Sequence, residues 1–332
     1  MLRILHDTKY DFIRWWRVAA GLTIAFIAIG LIALGFEGGF NYSVDFTGGT
    51  VMQLTFTQAP DVAKLRAALD AGGAKGAELA QFGDVKEYVI RVKGDTNATG
   101  AERASQEIRK DVAGVVGDSG FKIARTEVVG PRVGSELRRG AILAILASFI
   151  ITLAYLAYRF EWRFGLAAII ATAHDILATA AFIAMLRLEI SLTVVAGLLT
   201  VIGYSLNDTI IIFDRVRENL RKNRREPLYN TLNRSVNETL PRSVLTHATV
   251  LISTLALLIF AGEVIRPFAW VMAFGVFTGT FSSIYVASPI LMYIEHKYPR
   301  DPDAKGKHGT TAPSGGPANS AGKRPAAKPG AR

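Results

Sequence analysis

The chain has no cysteine among its 332 residues, which excludes disulfides, thiolate nucleophiles and cysteine-held metals. Histidine is scarce too, five in all, and none falls between residues 37 and 138. A histidine-rich metal centre is therefore not expected, nor any other cofactor. The largest deficit is in polarity: half of the residues are hydrophobic, too many for an ordinary soluble protein.

The apolar residues gather into six runs of spanning length, each close to the ~20 residues that cross a bilayer. They lie near Val18–Phe36, Ala141–Tyr158, Phe164–Leu186, Ile190–Phe213, Ser243–Ala261 and Phe268–Ile294. Pro289 is the expected kink in the last. The first run is longer than a signal-peptide core and is preceded by Asp7 and Asp11 as well as bases, so it reads as a retained helix. Lys and Arg concentrate before the first run, after the second at Arg159 and Arg163, and between Arg215 and Arg234. The opposite connections carry only Arg187 and Arg266. The positive-inside rule then puts both termini in the cytoplasm and the 37–138 segment outside it, in a multi-pass inner-membrane protein. The net charge of +10 belongs to the cytoplasmic side and suits lipid headgroups rather than nucleic acid.

The expected order is a cytoplasmic N-terminus (1–17), helix one (18–36), an external domain with its collar (37–138), and helices two to six (139–298). Between helices four and five lies a basic loop (214–241), and a disordered basic tail (299–332) ends the chain. In the external segment Val51–Thr57, Ala77–Phe82, Tyr88–Val92 and Phe121–Val129 read as strands. Pro60–Ala71, with its proline in the first turn, and Ala101–Val116 read as helices. The order βαββαβ is that of a ferredoxin-like α+β domain on an α-helical membrane protein. Its acids are scattered, so a binding or mechanical module is expected and not an enzyme.

Two joints flank this domain. Asp45, Phe46, Gly48 and Gly49, in VDFTGG, read as a collar whose paired glycines permit positive φ. Gly130, Pro131 and Gly134 read as a hinge, with Ser135 capping the next helix.

Inside the apolar runs the ionisable residues stand out. Asp208, beside Asn207, sits in the fourth span with no cation next to it in sequence, where a charge costs ~2.5–3.5 kcal/mol on insertion scales. Arg242, behind Pro241 at the start of the fifth span, falls at the same depth and is the candidate partner, with snorkelling to headgroups as the alternative. His174 and Asp175 lie roughly 15 Å deep in the third span. With His247 they form a candidate proton path, although a packing role suits each histidine too. Asp214–Asn219 reads as a solvated ion-paired surface. Gly203, with Thr193, Ala196, Thr200 and Asn207, makes a small-residue face on the fourth span, and Gly275, Gly279 and Ser283 make one on the sixth.

VDFTGG at Val44–Gly49, VGPRVGSEL at Val129–Leu137, GYSLNDTIIIFDRVREN from Gly203 and GTFSSIYVASP from Gly279 closely resemble the SecD/SecF family of protein-translocase subunits. The resemblance covers nearly the whole chain except the tail. It implies an RND-type permease half that pairs with SecD, whose six helices complete a pseudo-twofold membrane domain. It also implies association with the SecYEG channel and YajC. The implied role is late translocation of unfolded polypeptide driven by the proton motive force, with Asp208 and Arg242 as the proton-linked pair. The family commonly has a small serine where this chain has His247. Two rival functions make other demands. An RND-like exporter of lipids or small molecules calls for twelve helices and two external domains, and a membrane hydrolase built on His174–Asp175 calls for further metal ligands.

Overall fold

The structure is a computed structural model describing residues 8–298 apart from 73, 75–76, 83, 94–97, 224 and 263. The 299–332 tail lies outside the described residues. Helix α1 (Trp16–Phe36) leads into a one-turn helix α2 (Val44–Thr47). The α/β domain follows as β1 (Gly49–Phe56), α3 (Val62–Ala71), β2 (Glu78–Gln81), β3 (Glu87–Lys93), α4 (Ala98–Val116) and β4 (Phe121–Val129). The chain then runs through α5 (Pro131–Arg159), α6 (Trp162–Met185), α7 (Leu192–Lys222), α8 (Leu228–Phe260), α9 (Arg266–Ser282), a π turn (Ser283–Ala287) and α10 (Ser288–Lys297). Among the described residues, six helical stretches, with the last three elements counted as one, are long and apolar enough to cross a membrane.

The four strands form one antiparallel sheet in the order β2-β3-β1-β4, the ferredoxin-like arrangement. Period-2 alternation sends Met52, Leu54 and Phe56 of β1 to one face. There they meet Leu65 and Leu69 of α3 and Ile108 and Val112 of α4, all buried. Each such burial contributes about 1.5–3 kcal/mol. Helix α3 starts later than the sequence suggests, because the Asp61 carboxylate accepts bonds from Ala63 N and Lys64 N and leaves Pro60 outside.

Several helices outrun their apolar spans. The 214–241 stretch, expected as a loop, is mostly helix, with only Asn223–Pro227 between α7 and α8. Phe213 and Val216 extend the buried stripe of α7, and Leu232, Val236 and Leu240 that of α8, so tertiary packing carries both helices through polar sequence. Pro241 consequently sits inside α8 and not at its start. Ser135 likewise falls within α5, where its hydroxyl bonds to the Arg132 carbonyl at 2.8 Å. Pro131 at the first turn already begins that helix, with Gly130 as N-cap. Near Pro289 the backbone widens into the π turn, the local form that accommodates a missing N–H in a long helix.

Nor is the Asp214–Asn219 stretch merely solvated. Asn219 is buried and donates to Ser235 Oγ (3.0 Å) and Glu238 Oε2 (2.7 Å) on α8. Arg215 Nε donates to Glu238 Oε2 at 2.6 Å, and Arg159 of α5 reaches Asp214 at 3.3 Å. These bonds join α5, α7 and α8 at the basic end.

The small-residue faces divide. A Cβ on Gly275 would run into the Val201 side chain, and one on Gly279 would lie 2.9 Å from Ser205 Cβ, so α9 and α7 meet where glycine is required. Gly203 has open space instead, and Thr193, Ala196, Thr200 and Asn207 are exposed with it. That stripe turns away from the chain's own bundle, because Val194, Gly197, Val201 and Ser205 supply the inward face of α7. In a helix Ala is favoured over Gly by about 1 kcal/mol, whereas overpacking costs about 1–3 kcal/mol. Gly203→Ala is therefore expected to preserve or raise the melting temperature of the purified chain in detergent, and Gly275→Ala to lower it.

Candidate functional site

Asp208 lies on the inward face of α7 and is 2% exposed. Ser243 of α8 donates its hydroxyl to Oδ1 at 2.5 Å, while Oδ2 is buried without a hydrogen bond among the described residues. Ser283 on the π turn lies close by, bonded at 2.8 Å to Thr209 Oγ1. Asp208 thus sits between α8 and the π turn.

Arg242 is not brought onto Asp208. It is exposed, and among the described residues no cation lies within 4.0 Å of the carboxylate. The reason is helical phase. Ser243 faces α7, and the preceding residue stands about 100° around the helix from it. Asn207 is exposed as well, on the outward stripe.

His247 follows Ser243 by one turn and is buried. Its Nδ1 is 2.5 Å from the Ser243 carbonyl and must donate there, so the neutral ring carries its proton on Nδ1. Among the described residues Nε2 is buried without a hydrogen bond, and the ring stands edge-on to Tyr204 at 5.1 Å.

Asp175 is the better satisfied acid. It is 1% exposed, and Oδ2 accepts the hydroxyls of Ser205 on α7 and, at 2.7 Å, Ser282 on α9. Oδ1 is 3.0 Å from His174 Nδ1. One carboxylate therefore ties α6, α7 and α9 together. His174 Nε2, without a hydrogen bond among the described residues, lies on the wall of an apolar cavity of about 600 Å³, lined also by Trp16, Ile24, Tyr285, Pro289 and Tyr293. Among the described residues no group of three or more His, Asp or Glu side chains is placed to hold a metal.

The hydroxyls that hold both acids were missed by sequence reasoning. Ser205, Ser243 and Ser282 each sit in an apolar helix where a buried hydroxyl needs an acceptor, and that requirement was the available signal.

The collar joins this helix from its other end. Asp45 Oδ2 accepts the backbone N–H of Leu192, the first residue of α7, at 3.1 Å. Ser43 N bonds to the Ile190 carbonyl (2.9 Å), and Ile190 N to the Asn41 carbonyl (2.7 Å). Gly48 and Gly49 have φ of 79° and 154°, and a Cβ on Gly49 would strike the Val92 carbonyl. A Cβ on Gly134 would lie 3.0 Å from the Phe46 carbonyl, so α5 packs directly against the collar. Sixteen residues of helix, about 24 Å, separate the collar bond from Asp208.

Among the described residues, six apolar spans, a ferredoxin-like domain in the first connection and a buried acid in the fourth span define a polytopic membrane protein with one α/β domain. The chain belongs to the SecD/SecF family. The family model "Protein export membrane protein SecD/SecF, C-terminal" matches residues 110–297, and the "SecD/SecF GG Motif" matches residues 36–60. The protein translocase subunit SecF of Gemmatimonas aurantiaca is 59% identical over 309 residues, 92% of each chain. That of Vibrio alginolyticus is 39% identical over 92% of this chain and 98% of its own. Among solved structures, SecDF of Thermus thermophilus, described as a translocon-associated membrane protein, superposes with a TM-score of 0.75 at 36% identity. The match covers 89% of this chain and 40% of that one. SecDF in a super-membrane-facing form gives 0.67 at 35%, with the same coverage.

The unequal satisfaction of the two acids makes a measurable difference. Asp175→Ala strands the Ser205 hydroxyl and His174 Nδ1, at about 1–3 kcal/mol for each buried group left unbonded. Thermal unfolding in detergent is expected to show a larger loss for Asp175→Ala than for Asp208→Asn, which keeps an acceptor for Ser243.

Proposed function

We propose that the chain works as the SecF-type half of a SecD–SecF pair, which draws on the proton motive force to promote late translocation and release of unfolded polypeptide through the Sec channel. The observation that carries this reading is Asp208, buried with one oxygen held by Ser243 and the other unbonded. A carboxyl so placed takes up a proton at little structural cost, because its free oxygen needs no existing bond to break.

In this reading the neutral acid rests on Ser243. Loss of the proton leaves a charge in apolar surroundings, and a turn of α8 by about 100° exchanges Ser243 for Arg242. The π turn, whose Ser283 lies beside Asp208, is the element that repacks. His174, Asp175 and His247 line the approach. A proton moving through about 150 mV contributes roughly 3.5 kcal/mol. That shifts a two-state equilibrium several hundred-fold. The motion passes along α7 to the collar and the hinge at Gly130–Gly134, and so to the α/β domain. The exposed stripe of α7 suits the six-helix SecD half, and the basic end faces the cytoplasm with the α/β domain outside. SecYEG, YajC and anionic lipids complete the surroundings.

Asp208→Asn holds the residue permanently neutral. It is expected to remove the stimulation of precursor translocation by a proton gradient in inverted vesicles, while copurification with SecD persists. Full gradient-dependent stimulation in that variant would overturn the assignment.

A further inference from the structure

A second pair of acids lies outside the membrane bundle, where the α/β domain meets the α6–α7 connection. Glu189 belongs to that connection, and its side chain is 16% exposed. Facing it across the joint are Glu78 of β2 and Arg91 of β3, which are register partners in the sheet. Arg91 Nη1 is 3.6 Å from Glu189 Oε2. Among the described residues Glu189 Oε1 is buried without a hydrogen bond, and the carboxyl of Glu78 stands within hydrogen-bonding reach of Glu189. Lys93 Nζ lies 3.4 Å from Glu78 Oε1 and donates to Asn41 Oδ1 of the collar at 2.9 Å. The other charges nearby are engaged elsewhere. Arg187 pairs with Glu37 at 2.8 Å and donates to the Gly39 carbonyl, and Arg125 and Glu127 of β4 pair with each other.

Two ionised carboxylates have acceptors only, so a direct contact between them is repulsive. It becomes a hydrogen bond when one proton is held between them. We propose that Glu78 and Glu189 form a proton-binding site that latches the α/β domain onto the α6–α7 connection, closed when the pair holds a proton and loosened when it does not. The site is separate from the membrane acids and does not rest on the role given to Asp208. It sits beside the Ser43–Ile190 and Asp45–Leu192 bonds, so its release loosens the contact between the collar and the start of α7.

The direction of the pH dependence follows from the docked state. Burial, then the neighbouring Glu78, push the Glu189 carboxyl up to about 8, against the opposing pull of Arg91 and Lys93. A carboxyl raised in the docked state favours docking fully below its undocked value, and the contribution is lost as pH rises through about 8. The docked domain therefore takes up a proton, and alkaline solution opens the joint.

The absence of cysteine makes the test direct. Spin labels on Asp118→Cys in the domain and Leu186→Cys at the end of α6, both exposed positions, report the separation by double electron–electron resonance in proteoliposomes. A single narrow distance is expected at about pH 5, shifting or broadening by about pH 9. Glu189→Gln and Glu78→Gln should each abolish the shift and keep the narrow distance at both pH values. The shift should persist unchanged with Asp208→Asn. Identical distributions at the two pH values, a shift that survives both Gln substitutions, or one lost with Asp208→Asn would each overturn the latch.

Discussion

Asp208 is buried among apolar helices, where an ionised carboxylate costs ~2.5–3.5 kcal/mol on insertion scales, and it accepts a hydrogen bond from the Ser243 hydroxyl. One oxygen is held, and the other accepts no hydrogen bond among the described residues. This under-satisfaction sets Asp208 apart from Asp175, which lies in the same bundle but accepts two serine hydroxyls and faces a histidine nitrogen. The saturated acid holds three helices in place. The unsaturated one borders a proline-containing helix and a π turn.

Helix α7 connects that acid to the α/β domain. It runs unbroken from Leu192 to Lys222, packed closely on α9 at Gly275 and Gly279. Its first N–H is held by Asp45, and its last turns are tied to α8 by Arg215 and Asn219. A change at Asp208 therefore has rigid material on both sides of it. The collar is the place where this rod meets the domain, and Gly49 is required there because the chain passes close under the Val92 carbonyl of β3.

Much of this was legible in the sequence. Hydropathy locates six spans, and period-2 alternation locates a sheet whose order is ferredoxin-like, since both patterns report burial directly. Helix ends were read less well, because Leu232, Val236 and Phe213 carry helices through charged sequence that hydropathy alone treats as loop. Asp208 and Asp175 stood out as acids in hydrocarbon. Their partners did not, because a serine in an apolar run is unremarkable until its acceptor is known. The expected contact with Arg242 failed on phase: adjacent residues on α8 point in different directions, and depth along the membrane cannot choose between Ser243 and Arg242. Gly203 shows the same limit, since a small-residue stripe marks close packing but not whether the neighbour belongs to the same chain.

The account turns on Asp208 gaining and losing a proton. Infrared difference spectroscopy on the SecD-paired protein in proteoliposomes, with isotope-edited aspartate, reads that event directly when a proton gradient is imposed. The account predicts a protonated-carboxyl band that changes with the gradient and is absent from Asp208→Asn. A carboxyl signal that ignores the gradient, or one that survives that substitution, would contradict it.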